Sequence, residues 1–248
     1  MKIGVIGTGN IGGTLARKLA AAGHDVRIAN SRGADAVRDL AQEIGATPTD
    51  QKGAVQGADC VILAIPFVAM AKLPAGLFDD LPAGVPVVDT SNYYPGILHD
   101  PIPAVEAGQV ESEWVAEQIG RPVIKAFNMI LAPSLKNLSR PSGVPDRLAV
   151  TIAGDDAAAK ALLAGLVDEI GFDPVDAGPL SESWRQQPST PVYCCDWTAG
   201  EARDALAAAQ PGEAPKIRAR LMDDMAALPQ NATHEDLVRL NRRVNAGR

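Results

Sequence analysis

The chain has 248 residues, 46% of them hydrophobic, with 30 acidic against 23 basic side chains and a net charge of −7. That length suits one large domain or two small ones of an ordinary globular protein. The acidic balance, with no basic run to reverse it, speaks against a broad nucleic-acid-binding face; no apolar stretch reaches membrane-spanning length, and three cysteines are too few for a disulfide framework.

Residues 3–6 form an apolar run of strand length. Gly7-Thr8-Gly9-Asn10-Ile11-Gly12 follows at once, as G-x-G-x-x-G. Leu15, Leu19 and Ala22 recur at helical spacing, and residues 26–29 read as a second strand. Strand, glycine turn, helix and strand in that order is the context a dinucleotide fingerprint requires. Gly7 turns the chain sharply out of the strand. Gly9, without a Cβ, lets a pyrophosphate approach the backbone, and Gly12 lets the helix pack closely on the strand. The exposed amides of the helix start then face phosphate, favoured by the helix dipole.

The end of the second strand bears on which nucleotide binds. An acid roughly 20 residues past the glycines would bond an adenine ribose 2′-hydroxyl. Here the residues are Asn30-Ser31-Arg32, and Asp25 sits at the wrong end of the strand. A forked guanidinium with a hydroxyl beside it suits a 2′-phosphate, so NADP(H) is expected over NAD(H). Arg38, on the helix expected over 34–44, lies within reach of the same group, although a solvated helix surface suits it better.

Residues 47–49 read as a short third strand and 50–57 as a short helix capped by Asp50. The near-continuous apolar run at 59–65 suits a parallel strand buried on both faces, with Cys60 an inert buried thiol and Pro66 its end. Ligands bind outside the carboxyl ends of such strands, which puts Ile65, Pro66 and Phe67 beside the nicotinamide, with core packing the plain alternative. A fifth strand is expected at 85–88. After it, Asp89-Thr90-Ser91-Asn92 offers small polar groups for the cofactor, Ser91 and Asn92 above all, or else simply forms turns. A long proline-bearing loop carries Tyr93, Tyr94 and His99. A helix over 111–119 leads to a sixth strand at 123–128, where Lys125 and Asn128 stand out, because a charge inside a strand needs a partner or a ligand. A seventh strand (147–153), a helix (157–170) and a short strand (172–176) follow. A helix-like piece over 180–187 carries Arg185, a candidate to hold an anionic substrate or to form a structural ion pair. Cys194-Cys195 read as reduced neighbours. Helices at 201–209, 214–228 and 233–245 finish the chain, with stripes Leu221/Met225/Leu228 and Leu237/Leu240/Val244 as core faces and Thr233/Asp236 as a capping box.

The fold class these elements imply is α/β: a Rossmann-type doubly wound, mainly parallel sheet with a helical C-terminal extension. The expected division is an NADP-binding domain at 1–155 and a smaller α/β-to-helical region at 156–248 packed on it. The N-terminus lacks the apolar core of a signal peptide, so a cytoplasmic protein is expected. Its partners are expected to be small molecules and a second copy in a homodimer, with neither nucleic acid nor membrane.

The fingerprint GTGNIGGTLARKLAAAGHDVRIANSR, the strand VILAIP, the stretch VVDTSN and above all VIKAFN resemble the deazaflavin-dependent NADP reductase family, over roughly residues 2–179. Members exchange hydride between NADP(H) and coenzyme F-420. The resemblance implies that Thr8, Asn10 and Ile11 line the pyrophosphate turn, that Ser31 and Arg32 hold the 2′-phosphate, and that Ile65, Pro66, Phe67 and Asn128 sit near the nicotinamide. The chain departs from the family pattern after Pro179, where the second substrate would be recognised. A deazaflavin acceptor requires alignment of two rings and exclusion of water, so no catalytic side chain is assigned firmly. A carbonyl, imine or quinone acceptor would need a proton donor near Asn128, with Lys125, Tyr93, Tyr94 and His99 as candidates. A non-catalytic NADP(H) sensor is the third reading. No metal ligands are assigned.

Overall fold

The computed structural model describes residues 1–229 and 231–247; Gln230 and Arg248, both within the expected C-terminal region, lie outside the described residues. The chain opens with β1 (Lys2–Ile6), α1 (Asn10–Ala21) and β2 (Asp25–Ala29). A 3-10 turn (Ala34–Val37) runs into α2 (Arg38–Ile44), which Gly45 ends in the left-handed conformation at φ 72°. Then come β3 (Thr47–Pro48), α3 (Gln51–Val55), β4 (Cys60–Leu63) and β5 (Val87–Asp89). Asp50 caps α3 by accepting from the Gly53 amide, as expected. The second half holds α4 (Pro103–Glu106), α5 (Glu111–Ile119), β6 (Ile124–Ala126), α6 (Ala132–Asn137), β7 (Ala149–Ala153), α7 (Ala157–Glu169), β8 (Asp173–Asp176), α8 (Ala199–Ala208), α9 (Ala214–Ala226) and α10 (His234–Asn245).

The strands form one sheet in the order β3-β2-β1-β4-β5-β6-β7-β8. Pairing is parallel except between β6 and β7. This is the expected Rossmann-type doubly wound, mainly parallel architecture. The sheet runs without a break across residue 155, because β8 pairs with β7. β1, β2, β4 and β5 feed both faces: β4 sends Cys60 and Ile62 into the cluster around Leu15, Leu19 and Leu163, and Val61 and Leu63 into the cluster around Phe67 and Trp114. That two-sided burial is why these strands read as unbroken apolar runs.

Expected bounds shift, the sixth strand being Ile124–Ala126 rather than 123–128. The fifth strand is Val87–Asp89 rather than 85–88, because the Val85 amide donates to Pro82 in a turn and the strand starts beyond it. The helix-like piece at 180–187 is a 3-10 segment, Leu180–Gln186. Met225 is exposed, and the core stripe of α9 runs instead through Ile217 and Leu221 to Leu228, meeting Leu240 and Val244 of α10. Thr233 and Asp236 form the expected capping box. Among the described residues no helix is long and apolar enough to cross a membrane.

The reversal after β6 has a structural consequence. β7 and β8 run opposite to the other strands, so the chain leaves β8 at the far edge and the 3-10 segment climbs back. It packs on α5, β6 and β7 and reaches the carboxyl edge with Gln186. α8 then packs on β7 and β8, and Arg242 of α10 ties the extension down by donating to the Cys195 and Asp196 carbonyls and stacking on Trp197.

The glycine turn separates structural from open positions. A Cβ on Gly12 would lie 1.9 Å from the Gly7 carbonyl oxygen and 2.8 Å from the Ala64 Cβ, whereas one on Gly9 would meet nothing within 4 Å. Gly12→Ala is therefore expected to destabilise the fold by about 2 kcal/mol or more, and Gly9→Ala by well under about 1 kcal/mol. Urea denaturation of the two variants checks this, and equal losses would contradict it.

Candidate active site at the carboxyl edge of the sheet

Gly7 leaves β1 with φ 103°, its amide donating to Ala29 of β2. Gly9 is the N-cap of α1. No side chain caps that terminus and no acid stands in its first turn. The first amides of a twelve-residue helix are thus turned outward without internal partners or a competing charge, as an anion site requires. Thr8 and Ile11 are half-buried and Asn10 is exposed. A groove of about 840 Å³ begins at Thr8, Gly9 and Asn10 and continues along α1 to Lys136 of α6.

At the end of β2, Asn30 folds its side chain back so that Oδ1 accepts from the Arg32 amide at 2.8 Å. Ser31 and Arg32 project from this turn, exposed. Among the described residues the Arg32 guanidinium has no ion pair, whereas Arg38 is paired with Asp35, both side chains exposed. No carboxylate lies between Ala29 and Gly33.

The ends of β5 and β6 are locked together. Asp89 and Lys125 face each other in register and form a fully buried ion pair at 2.9 Å. Lys125 also donates to the Ser91 carbonyl at 2.6 Å. Asp89 accepts from the Ser91 amide (2.8 Å) and hydroxyl (2.6 Å) and from the Ser112 hydroxyl of α5 (2.7 Å). Phe127 follows with a left-handed backbone, φ 62°, and aims Asn128 inward. The Asn128 amide nitrogen donates to Asn92 Oδ1 and to the Gln186 carbonyl, Asn92 donates to the Asn128 carbonyl, and Gln186 returns bonds to Asn128 Oδ1 and the Lys125 carbonyl.

The family model for coenzyme F-420-dependent NADP oxidoreductases matches residues 2–93. YjhV of Escherichia coli is 45% identical over 105 residues, which are 42% of this chain and 77% of that protein. The structure of SMa0349 from Sinorhizobium meliloti superposes with a TM-score of 0.68 at 30% identity, over 80% of this chain and 95% of that one. This chain belongs to the coenzyme F-420-dependent NADP oxidoreductase family. Membership places it among NADP-linked oxidoreductases. A structure from Arthrobacter sp. FB24, provisionally described as an F-420-dependent NADP-reductase, matches at 23% identity and a TM-score of 0.60, over 91% of this chain and 95% of that one, and speaks to the fold.

Several side chains expected at the site are engaged elsewhere in this family member. Lys125, a catalytic candidate, is sealed in the sheet by Asp89 and Ser91, because an ammonium inside a parallel sheet is tolerated only with a carboxylate against it. Asn128 is buried with both amide protons used, and so acts as a brace between strand ends. Ser91 gives its hydroxyl to Asp89 and its carbonyl to Lys125. The Phe67 ring is buried and stacked on Trp114 at 4.6 Å, so it belongs to the core, while Ile65 is half-buried and Pro66 exposed at the strand end. Arg185 forms a structural ion pair with Glu182 at 2.7 Å and lies over Trp184. Tyr93 spends its hydroxyl on Glu106 and the Ile102 amide, Tyr94 on Tyr193, and His99 Nδ1 accepts from the Tyr94 amide. These bonds hold the 93–103 loop rather than offer a proton.

The groups missed by sequence reading are Lys136 and Glu111. Pro133 in the first turn of α6 was a usable helix-start signal for the first. Glu111 looked like one more acid on a helix surface, yet it is buried at the start of α5, where Oε2 accepts from the Tyr93 amide at 3.2 Å. Burial pushes its carboxyl from the ordinary 4.5 up to about 7, with Lys125 opposing the shift.

Two outcomes follow from this geometry. Lys125→Met strands the Asp89 carboxylate without its cation and is expected to cost about 3–5 kcal/mol in urea denaturation; a variant as stable as the parent would reopen a catalytic role for the lysine. Glu111 prefers its proton when folded, so its contribution to stability is full below 4.5 and is lost as pH rises through about 7. Glu111→Gln keeps the acceptor for Tyr93 and should flatten the pH dependence of stability across that interval, gaining on the order of a few kcal/mol relative to the parent above it.

Proposed function

We propose that this protein passes hydride between NADP(H) and a planar acceptor, and that the acceptor is the deazaflavin coenzyme F-420. The observation that carries the nucleotide half is the pairing of an uncapped helix N-terminus at Gly9 with an unpaired guanidinium at Arg32 at the end of the next strand. The room beside Gly9, which a Cβ would fill, fits a pyrophosphate against the Thr8–Gly12 amides. Ser31 and Arg32 would hold the 2′-phosphate. Ile65 and Pro66 would form an apolar wall that keeps water from the reacting rings, with Asn92 at its edge. The nicotinamide supplies or takes the hydride, and the deazaflavin ring is its counterpart.

The F-420 half rests on the family model. It is also supported by what the carboxyl edge lacks: among the side chains expected to donate protons there, Lys125, Tyr93, Tyr94 and His99 are all committed to the fold. Ring-to-ring hydride transfer asks the protein for alignment and dryness, not for an acid. A second reading, reduction of a small carbonyl, imine or quinone, draws on Glu111, a carboxyl able to carry a proton near neutrality.

NADPH oxidation by the purified protein discriminates between these readings. Turnover with F-420 supports the first, and turnover restricted to small carbonyls, imines or quinones replaces it with the second. Tight NADPH binding with no turnover of any acceptor rejects both in favour of a sensor. Arg32→Ala is expected to weaken NADPH about ten- to a hundredfold and leave NADH nearly unchanged, because a charge-assisted bond to the extra phosphate contributes about 1.5–3 kcal/mol. Equal losses for the two cofactors in a titration would reject the 2′-phosphate assignment.

A further inference from the structure

A second concavity lies apart from the glycine turn. It is a cleft of about 690 Å³ lined by the 93–111 segment, the 210–222 segment, mainly α9, and Trp184, Gln187 and Thr190. None of Gly7–Gly12, Ser31, Arg32, Ile65 or Pro66 lines it. Its size is that of a small-molecule site.

The chemistry of the lining is uneven. Tyr93, Ile97, Val105, Val110 and Met222 make an apolar wall. Ile97 and Met222 are large hydrophobics left partly exposed there. Against that wall stand three polar groups shielded from water without a hydrogen-bond partner among the described residues: Arg218 Nε, Gln109 Oε1 and Gln187 Nε2. Buried polar atoms of a folded chain are mostly satisfied, and these three residues line one cleft. Arg218 lies near enough to Glu111, Tyr93 and Tyr94 to act on their charges, yet has no ion pair of its own among the described residues.

The acids nearby do not supply the missing partner. Glu106, on the rim, accepts from the Tyr93 hydroxyl. Glu111 is engaged with the Tyr93 amide and holds its proton up to about neutrality. The unmet demand in the cleft is therefore for an anion that forks onto a guanidinium and carries an apolar body.

We propose that the cleft binds a small carboxylic acid with an apolar body, its carboxylate on Arg218, its polar edge toward Gln109 and Gln187, and its apolar part against Ile97, Val105 and Met222. The site is separate from the dinucleotide groove and does not depend on the hydride reading.

The test compares matched acids and amides. Calorimetric titration of the full chain with benzoate and hexanoate is expected to give saturable binding, with benzamide and hexanamide binding at least about tenfold more weakly. Arg218→Ala should abolish the advantage of the acids while NADPH binding, measured in parallel, stays at the parental value. That second readout separates loss of this site from loss of the fold or of the nucleotide site. The proposal is overturned if acid and amide bind alike, if hexylamine binds better than hexanoate, if Arg218→Ala leaves acid binding unchanged, or if neither acid saturates by about 10 mM, the weak limit for a specific small-ligand site.

Discussion

The buried Asp89–Lys125 pair is the constraint on which the carboxyl edge of the sheet depends. Two charges removed from water cost several kcal/mol each, and only close contact with full hydrogen bonding offsets that. Here the carboxylate takes four bonds, from Lys125, Ser112 and twice from Ser91, and the ammonium adds the Ser91 carbonyl. β5 and β6 are only three residues each, too short for their ladder alone to specify register. The ion pair supplies the register, because a one-residue slip would leave both charges unpaired. α5 is drawn into the same lock through Ser112, and the 93–111 loop through Glu111 and Tyr93.

From that lock the edge is extended by amides. Asn92, Asn128 and Gln186 join the end of β5, the end of β6 and the returning 3-10 segment in one network. Phe127 carries a left-handed backbone to bring Asn128 into it, a strain on the order of 1–3 kcal/mol that persists only where surrounding bonds fix it. The antiparallel turn from β6 to β7 is what sends the chain away and makes the return of Gln186 necessary. The C-terminal extension is built on this return, since Ser189, Cys194 and Asp196 take positive φ values in the segment that leads from Gln186 to α8. The edge expected to face the cofactor and the base that carries the last three helices are thus one connected piece of structure.

The sequence showed the glycine turn plainly because its signal is local: the turn, the helix and both strands lie within thirty residues, and each glycine answers one steric demand. The sheet was legible for the same reason, as two-sided burial leaves unbroken apolar runs such as CVIL. Lys125 and Asn128 were conspicuous, but the sequence left open whether a partner or a ligand holds them. A charge in a strand announces that a partner exists, and the partner, Asp89, lies 36 residues earlier, where only register brings the two together. VVDTSN and VIKAFN, the stretches behind the family resemblance, are the two halves of this lock, so they identify the fold of the edge more directly than its chemistry. α4 and α6 are four and six residues long, too short to show a helical period. The exposure of Met225 was hidden because Leu221/Met225/Leu228 and Ile217/Leu221/Leu228 fit the same spacing, and packing against α10 chose between them.

Among the described residues Arg32, Arg203, Arg218 and Arg220 have no ion pair, and of these Arg32 and Arg218 stand at the two candidate sites. A protein of net charge −7 repels anions at long range, so it can hold one only where local fields overcome the whole. Most guanidiniums here are neutralised or tied down: Arg17 by Glu43, Arg38 by Asp35, Arg147 by Asp168 and Asp173, Arg243 by Asp224, while Arg121 and Arg242 donate to carbonyls. Arg32 escapes because the turn after β2 contains no acid and Asn30, a neutral residue, supplies the hydrogen bond that shapes it. Arg218 escapes because Glu111 is buried, bonded to the Tyr93 amide and pushed up by that burial, and Glu106 is bonded to the Tyr93 hydroxyl. Placing a carboxylate beside either arginine would stabilise the free protein slightly through an exposed pair and remove the unmet charge. At Arg32 and Arg218 the fold leaves the cation unpaired by different means: neutral hydrogen-bonding residues in one place and a buried carboxyl in the other.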